Sequence, residues 1–393
     1  MILFLHHRYR QPGGEERAVE DLIWLVREHL GEDAELLARD SAALSPARAG
    51  AGLVGGGLRP DQVAHAVRRT GARIVHAHNL HPTFGWRALA AARAAGAAVV
   101  AHLHQYRLVC ATGVCFRDGR ECTSCHGART TPGVRHNCRG SRAEAIAYAS
   151  ALSLWQRRTV SQVDAFVAPS AHALERLIEL GAPLGPASVV PHVSRALADP
   201  PPGAGATASR TLADPPPGAH ATHGHALLAA RLVPEKGVEI AIEACRLAGL
   251  PLVIAGEGPE RARLEGRAEH ARFVGPAGPE LLRELRAGAA VALVPSLFAE
   301  TFGLSAAEAM AAGVPVAASR IGALPELVPD DWLAVPGDPA SLAETIARIA
   351  GQAGARERAL ARARELTAPE AVAPALAAVY DRAAALSRRR CRG

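Results

Sequence analysis

Two glutamates, Glu300 and Glu308, lie in a stretch whose pattern suits a phosphorylated ligand that carries hydroxyl groups. The apolar residues 289–294 predict a buried strand, Glu300 falls in the loop after it, and Glu308 falls on the following helix. Carboxylates accept hydrogen bonds from sugar hydroxyls, and the N–H groups at the start of a helix bind phosphate. The residues expected to present those N–H groups are Phe302, Gly303 and Leu304. The alternative is that Glu300 only complements the helix dipole and Glu308 only lies on the surface.

Lys236 is the only lysine in the chain. It lies at a predicted turn between a strand and a helix, and four residues separate it from Arg231. Because every other cationic side chain apart from histidine is arginine, this position favours a compact ammonium over a planar guanidinium. Two cations at such a turn suit the binding of a diphosphate. The alternative is that the single lysine occurs at this position by chance.

With these two stretches, the chain resembles the family 4 glycosyltransferases of the GT-B fold. The resemblance rests on Arg231-x4-Lys236-Gly237, Glu300-x7-Glu308, Gly313-x-Pro315-Val316 and Ser319-x2-Gly322-x2-Pro325-Glu326. It implies an α/β protein of two Rossmann-like domains that face each other across a cleft. It covers most of the chain and is more specific in the second half than in residues 193–224.

The resemblance implies a retaining glycosyltransferase that moves a sugar from a nucleoside-diphosphate sugar, with no cofactor for catalysis. Arg231 and Lys236 are then the cations that stabilise the departing diphosphate. Glu300 is expected to hold the donor sugar, and Glu308 is expected to accept from the ribose hydroxyls. In this family a donor phosphate oxygen takes the acceptor proton, so carboxylates on both sides of the anomeric carbon are not required.

Four further positions are candidate site residues. Gly13 and Gly14 match a glycine-rich first loop that this family places at the interdomain cleft. Glu257, in the loop after a predicted strand, is expected to border the base pocket. His104 begins a His-Gln-Tyr-Arg stretch that resembles one facing the cleft in relatives, where it would contact the donor sugar or the acceptor. The alternative for His104 is a capped histidine in a loop.

Strand and helix patterns alternate in both halves of the sequence, which predicts parallel sheets with ligands at the carboxyl ends of the strands. We expect an acceptor-side domain at 1–193, a linker rich in Pro, Gly and Ala at 194–223, a nucleotide-sugar domain at 224–365, and a helix with a basic tail at 366–393. Within the linker, the segment that begins at Arg195 recurs at Arg210, and its composition predicts a solvated connection. Residues 47–57 are predicted to form a loop. In relatives the C-terminal helix crosses back onto the first domain.

Five of the seven cysteines fall in residues 108–140, an insertion with little periodicity in the first domain. Cys122 and Cys125 have the spacing of a zinc knuckle. A structural zinc is therefore predicted, with the ligands Cys110, Cys122, Cys125 and Cys138. Cys115 could replace Cys110 or stay unliganded, and His126 and His136 are further candidates. Unpaired thiols, and disulfides in an oxidising environment, remain open alternatives.

The composition sets the expected location and partners. The net charge of +6 is modest, and no apolar run is long enough to span a membrane. Residues 1–5 are too short for a signal peptide, so we expect a cytoplasmic protein. The arginines at 388–390 could touch anionic lipid at the inner face of the membrane, and a solvated tail is the alternative. The expected partners are a nucleoside-diphosphate sugar and a saccharide, lipid-linked or small-molecule acceptor, as in the synthesis of cell-envelope polysaccharide.

Two other classes of function remain as alternatives. One is another GT-B sugar-nucleotide enzyme, but the paired glutamates argue against an epimerase, and the single lysine argues against a phosphorylase with a pyridoxal cofactor. The other is a non-catalytic protein that binds nucleotide or nucleic acid and carries a zinc module. A reader of nucleic acid would show interleaved aromatic and basic residues near the cysteines, and the sequence offers few of them, so no nucleic-acid partner is expected. Histidines at predicted strand ends, such as His78 and His102, could also bind metal, but the family uses no catalytic metal.

Overall fold

The computed structural model describes residues 1–10, 13–198, 224–268, 270–350 and 352–390. These residues form two compact units. The first unit comprises Met1–Arg117, Cys122–Val193 and Pro369–Gly393, and the second comprises Asp118–Glu121 and Ser194–Ala368. Each unit contains a parallel sheet covered by helices, as the alternating pattern of the sequence predicts.

The first unit is built on six parallel strands, which lie in the order β2-β1-β3-β4-β7-β8 when all strands are numbered along the chain. The six strands are β1 (Ile2–Arg8), β2 (Ala34–Asp40), β3 (Ile74–Ala77), β4 (Ala98–His102), β7 (Ala165–Ala168) and β8 (Ala187–Val189). The short pair β5 (Phe116–Arg117) and β6 (Arg120–Glu121) forms a separate two-stranded sheet, and the residues of β6 belong to the second unit. The helices are α1 (Gly14–His29), α2 (Pro46–Gly55), α3 (Pro60–Thr70), α4 (Gly85–Ala94), α5 (Thr131–Arg135), α6 (Arg142–Ser161) and α7 (Ala171–Glu179).

Helix α2 corrects one prediction. Residues 47–57 were expected to form a loop because they are rich in glycine, but most of them are helical. Ser45 Oγ accepts a hydrogen bond from the Arg48 N–H at 3.4 Å, and Pro46 occupies the first turn. Leu53 is buried in a small apolar cluster that also contains Leu152 of α6. Capping and tertiary packing therefore outweigh the low helix propensity of glycine.

The segment 108–140 contains little regular structure, as its lack of periodicity predicts. Its regular elements are β5, β6 and α5. Hydrogen bonds to α6 attach it to the first unit: Gln156 Nε2 donates to the Leu108 carbonyl at 2.7 Å, and Thr130 Oγ1 donates to the Ala149 carbonyl at 2.7 Å. These two hydrogen bonds thus attach the segment to the long helix α6.

The second unit is also built on six parallel strands, in the order β11-β10-β9-β12-β13-β14. The strands are β9 (His225–Ala229), β10 (Leu252–Ala255), β11 (Ala271–Gly275), β12 (Ala289–Val294), β13 (Val316–Ser319) and β14 (Leu333–Ala334). The helices are α8 (Val238–Ala248), α9 (Arg261–Glu265), α10 (Pro279–Gly288), α11 (Leu304–Ala311), α12 (Leu324–Leu327), α13 (Pro339–Ala350) and α14 (Ala355–Thr367). Because all six strands are parallel, the loops after β9, β10, β12 and β13 leave from one edge of the sheet.

The last helix, α15 (Pro369–Arg390), returns the chain to the first unit. Its apolar face includes Val372, Leu376 and Tyr380, which lie in the same buried cluster as Ile2 and Phe4 of β1. This packing agrees with the crossing of the C-terminal helix that the resemblance implies. In the described part of the chain, none of the helices is long and apolar enough to span a membrane.

The start of the predicted linker differs from the prediction. The Ser194 N–H donates to the Thr367 carbonyl at 2.9 Å, Arg195–Leu197 forms a 3-10 turn, and Leu197 packs against the core of the second unit. Arg195 and Ala196 are exposed as a solvated connection predicts, but Ser194 is buried and Leu197 contributes apolar surface that the second unit covers. Residues 199–223, with the second copy of the duplication, lie outside the described residues.

Candidate functional site

Lys236 and Glu300 form an ion pair at the edge of the second sheet where its strands end. Lys236 Nζ donates to Glu300 Oε1 at 2.7 Å, and 22% of the lysine and 10% of the glutamate side chain are exposed. Ser296 Oγ donates to the same carboxylate oxygen at 2.6 Å. The ammonium also lies 4.8 Å from the centre of the Phe298 ring. The structure thus brings together the cation and the carboxylate that the sequence predicts for one site.

Two glycines allow the loops that carry this pair to approach each other. Gly237 has a φ of 64°, and a Cβ atom at this position would lie 2.0 Å from the Pro295 carbonyl oxygen. Gly322 has a φ of 61°, and its Cβ would lie 2.4 Å from the backbone nitrogen of Glu300. Only glycine accommodates both the left-handed conformation and the close backbone contact. The glycine after Lys236 therefore positions the lysine against the loop of Glu300.

Arg231 and Glu257 lie in neighbouring loops of the second unit. The Leu232 N–H donates to the Glu257 carbonyl at 2.9 Å, so the loops after β9 and β10 meet. The Arg231 side chain is 58% exposed, with a guanidinium nitrogen 3.8 Å from Glu235. Arg261 donates to Glu257 Oε2 at 2.6 Å and lowers the pKa of that carboxyl. Arg231 is thus accessible to an anion, whereas Glu257 is already paired.

The predicted anion site lies at the start of α11. The helix begins at Leu304, directly after Gly303 with a φ of 98°. The first N–H groups of a helix have no acceptor within it, and here the first N–H that donates to the Gly303 carbonyl is that of Ala306, at 2.9 Å. The Phe302 side chain is buried in the apolar core of the second unit, so Phe302 could offer a ligand only its backbone. The helix start follows the loop of Glu300, as the sequence predicts.

Glu308 has a partner that the sequence analysis missed. It lies on α11 and forms an ion pair with Arg286 of α10, in which 15% of the arginine and 21% of the glutamate side chain are exposed. The two residues are distant in sequence, and no spacing rule connects them. Arg286 neutralises the charge of a carboxylate that the resemblance assigns to ribose binding.

Buried histidines form a stack at the carboxyl-end edge of the first sheet. The ring centres of His102 and His104 are 4.2 Å apart, those of His104 and His192 are 5.2 Å apart, and all three rings are nearly parallel. His78 Nδ1 lies 2.7 Å from His104 Nε2, so one of these nitrogens donates to the other. His104, which is predicted to contact a sugar or an acceptor, lies in the loop after β4 as part of this buried stack, with His78 as a hydrogen-bond partner.

Burial keeps this stack neutral. It lowers the pKa of His192 to about 4 and the pKa values of His78, His102 and His104 well below the usual range. Next to the stack, burial lowers the pKa of His76 to about 3, and its Nδ1 lies 2.9 Å from Tyr380 Oη. At neutral pH these imidazoles can exchange hydrogen bonds with a ligand but cannot supply positive charge.

Two acidic residues beside the predicted glycine turn also escaped the sequence analysis. The Gly13 N–H donates to Glu16 Oε2 at 2.8 Å, and α1 begins at Gly14. Glu15 Oε2 accepts from Gln105 Nε2 at 3.0 Å, and burial raises the pKa of Glu15. Gln105 follows directly after His104, so Glu15 belongs to the same edge of the first sheet. The signal in the sequence was a pair of carboxylates directly after the glycine pair at a strand-to-helix turn.

The predicted zinc ligands lie together in the first unit. Cys110, Cys122, Cys125 and Cys138 line one small cavity.

Sequence comparison finds similar proteins for the second unit. Residues 224–352 match the family described as glycosyl transferases group 1. A glycosyltransferase of Methanocaldococcus jannaschii is 35% identical over 145 residues, which are 33% of this chain and 37% of that protein. A GDP-mannose-dependent alpha-(1-6)-phosphatidylinositol dimannoside mannosyltransferase of Mycobacterium tuberculosis is 37% identical over 145 residues, which are 34% of this chain and 37% of that protein. The chain thus matches well under half the length of these curated relatives.

Structure comparison identifies the fold. The Anabaena protein Alr3699/HepE, solved in complex with UDP and glucose, superposes with a TM-score of 0.61 at 18% sequence identity. The superposition covers 97% of this chain and 99% of the other. The two parallel-sheet units are therefore those of the GT-B fold, as the sequence predicts.

Proposed function

We propose that this protein, whose residues 224–352 form a group 1 glycosyltransferase domain, transfers a sugar from a nucleoside-diphosphate sugar to an acceptor. The observation that carries the proposal is the hydrogen-bonded pair of Lys236 and Glu300 at the carboxyl-end edge of the second sheet, inside the matched region. Glycosyltransferases among the relatives support the same reaction class.

In this proposal, the second unit stabilises the departing diphosphate. Cleavage of the bond between sugar and phosphate builds negative charge on the phosphate oxygens, and positioned donors lower the barrier by binding that charge. Lys236 has three N–H donors and gives one to Glu300, so the others are available to the diphosphate. The exposed Arg231 and the N–H groups at the start of α11, from Phe302, Gly303 and Leu304, are the further donors.

The two glutamates bind the hydroxyl groups of the donor. Glu300 Oε1 accepts from Lys236 and Ser296, which leaves Oε2 as the acceptor for a hydroxyl of the donor sugar. Glu308 accepts from the ribose hydroxyls while Arg286 balances its charge. Glu257, held by Arg261, borders the base. Hydrogen bonds from hydroxyls to carboxylates fix the donor without taking part in bond cleavage.

In the first unit, His104 and the turn at Gly13 and Gly14 contact the donor sugar or the acceptor. Because His104 is neutral, its contribution is a hydrogen bond and not a charge. The transfer retains the anomeric configuration, and a donor phosphate oxygen takes the acceptor proton, so the reaction uses no cofactor. The acceptor is a saccharide, a lipid-linked saccharide or a small molecule, and the reaction takes place in the cytoplasm, at the inner face of the membrane when the acceptor is lipid-linked.

The test is incubation of the purified protein with a panel of UDP-, GDP- and ADP-sugars, followed by chromatography of both the nucleotide and the sugar. Release of nucleoside diphosphate from at least one donor is expected, slowly by hydrolysis and faster once an acceptor is added. Conversion of the donor to an epimer with its diphosphate intact would identify an epimerase instead. Binding of donors with no turnover under any condition would support a non-catalytic nucleotide-binding protein.

A further inference from the structure

The segment 108–140 encloses a cavity that the proposed function does not use. The cavity has a volume of about 20 Å³. A site for a single water molecule needs roughly 10–15 Å³, so the cavity has the size of one water molecule or one metal ion. All five cysteines of the segment line it, together with His136: Cys110, Cys115, Cys122, Cys125 and Cys138.

We propose that this cavity binds one divalent metal ion of the zinc class through the thiolates of Cys110, Cys122, Cys125 and Cys138. Cys122 and Cys125 are separated by two residues, as in a zinc knuckle, and Cys110 and Cys138 lie on either side of them in the sequence. Four sulfur ligands complete a tetrahedral site with no open position. Such a site stabilises a fold and does not bind substrate.

Hydrogen bonds hold the loop of Cys110 and Cys115 in place beside the Cys122–Cys125 pair. Thr112 Oγ1 lies 3.1 Å from Cys110 Sγ, and the Gly113 N–H donates to the Cys110 carbonyl at 3.0 Å. The Cys122 N–H donates to the Cys115 carbonyl at 2.7 Å, which connects this loop to the start of the pair.

The backbone of the segment explains why it needs such a site. Of the four non-glycine residues with a positive φ in the described chain, three lie here: Cys115, Asp118 and Asn137. Strained conformations of this kind persist only where the surroundings fix them. Because β5, β6 and α5 are its only regular elements among the described residues, backbone pairing alone does little to fix them. A tetrahedral ion would connect both ends of the segment to its middle.

The buried histidines are the competing metal site. In the described residues, the donor sets found within 4.8 Å of one another are two histidine triads, one formed by His76, His78 and His102 and the other by His102, His104 and His192. In the second triad the rings are parallel to within 6°. The lone pair of an imidazole nitrogen lies in the ring plane, so the stacked rings of the second triad cannot all direct their lone pairs at one ion. The rings of the first triad are inclined to one another by only 19° to 35°, and His78 Nδ1 already lies 2.7 Å from His104 Nε2. Thiolates lack this restriction, although their sulfur atoms must move together when the ion binds.

The test is metal analysis of the full-length protein purified without chelator, with cobalt substitution as a second measurement. We expect about one zinc ion per chain and, after exchange, the intense visible absorption of cobalt in a tetrahedral thiolate site. The double variant Cys122→Ser, Cys125→Ser should lose both signals. The control Cys245→Ala, which removes a buried thiol of the second unit, should retain both, as should His102→Gln.

Chelation of the wild-type protein covers the case in which the double variant does not fold. Loss of one zinc ion should make four additional thiols reactive and increase proteolysis within 108–140, while nucleoside diphosphate still binds. Metal-free wild-type protein whose thiols are already reactive would overturn the proposal, as would loss of the ion in His102→Gln alone. Because none of these measurements uses sugar transfer, the outcome is independent of the proposed function.

Discussion

At the scale of single residues, the pairing of Lys236 with Glu300 changes what each side chain can do. The ion pair is mostly buried, so the removal of one partner leaves the other charge without compensation in a partly desolvated site. Ser296 is the remaining hydrogen-bond donor to Glu300 when Lys236 is replaced. In the proposed mechanism the lysine binds the diphosphate and also orients the carboxylate that holds the sugar, so its substitution should affect both.

The roles of the two glutamates can be separated by calorimetry with the nucleoside diphosphate. Glu308→Gln removes the charge assigned to ribose binding and leaves Arg286 unpaired, so it should weaken binding of the free diphosphate product by roughly tenfold or more. Glu300→Gln should reduce turnover and leave product affinity within about a factor of three, because the product lacks the sugar. Equal loss of product affinity in both variants would contradict these roles.

At the scale of secondary-structure elements, the loops after β9 and β12 form the site only because Gly237 permits their contact. The Leu297 N–H donates to the Glu235 carbonyl at 2.9 Å and holds these two loops together next to Gly237. A side chain at 237 would force the Pro295 carbonyl away and shift Lys236 from Glu300. Loop geometry, and not only residue type, therefore determines the site.

Gly237→Ala tests this contact, with Gly249→Ala as a matched control. Both glycines have a φ near 64°, but no atom lies within 4 Å of the Cβ position at Gly249. Gly249→Ala should lower the free energy of unfolding by about 1 kcal/mol from backbone strain alone. Gly237→Ala should cost clearly more and also reduce donor turnover. Equal effects of the two substitutions in denaturant unfolding and in turnover would show that the contact with Pro295 is unimportant.

The sequence predicts the elements of the second unit well, because local residue types mark where they begin and end. The helix predicted to follow the turn of Lys236 is observed as Val238–Ala248, with Gly237 and Gly249 at its two ends. The partner Arg286 could not be predicted, because tertiary packing of α10 against α11 brings it to Glu308. Helix α2 was missed because burial of Leu53 overrides the glycine content of its sequence.

The first unit was harder to interpret from its sequence. The sequence does not reveal whether a histidine in a predicted strand is buried. The stacking of His102, His104 and His192 depends on the order of the parallel strands in the sheet. Likewise, Glu15 in the first turn of α1 meets Gln105 in the loop after β4, which is far away in the chain. In both cases the missing information is which strand ends are neighbours.

At the scale of the whole molecule, the buried histidines should make the stability of the first unit depend on pH. Their folded-state pKa values are lowered, so their contribution is fully present above the unfolded pKa of about 6.5 and is lost as the pH falls towards the folded values. For His76 and His192, with folded pKa values of about 3 and about 4, a pH of about 5.5 lies below the unfolded value and above the folded ones, so each should lose on the order of 1 kcal/mol of its contribution. The raised pKa of Glu15 changes stability with pH in the opposite direction, but it concerns a single group.

Urea unfolding at about pH 7.5 and about pH 5.5 measures this dependence. Tryptophan fluorescence reports mainly on the first unit, because three of the four tryptophans, Trp24, Trp86 and Trp155, belong to it. The midpoint should fall at the lower pH, and His192→Phe should reduce the fall. A midpoint that is unchanged or higher at the lower pH would contradict the burial of neutral histidines.

The duplicated segment should tolerate the loss of one copy. Deletion of residues 195–209 brings Arg210 directly after Ser194 and puts Leu212 in the place of Leu197, which packs against the second unit. Loop closure changes by only about 0.6 kcal/mol for each doubling of length, so soluble expression and thermal stability should be nearly unchanged. The deletion combined with Leu212→Asp should be less stable. Insolubility of the simple deletion would show that the segment has a further structural role.

The most direct test of the account is the rate of nucleoside diphosphate release from the preferred donor, measured in the wild type, Lys236→Ala, Lys236→Arg and the control Arg358→Ala. The loss of the ammonium should cost about 2–4 kcal/mol of transition-state stabilisation, which is a decrease of roughly 30- to 1000-fold. Lys236→Arg should recover only a small part of this rate, because a guanidinium is larger and planar. Arg358→Ala, which breaks an ion pair with Asp331, should keep the wild-type rate. Full activity in either Lys236 variant would contradict the assignment of the site.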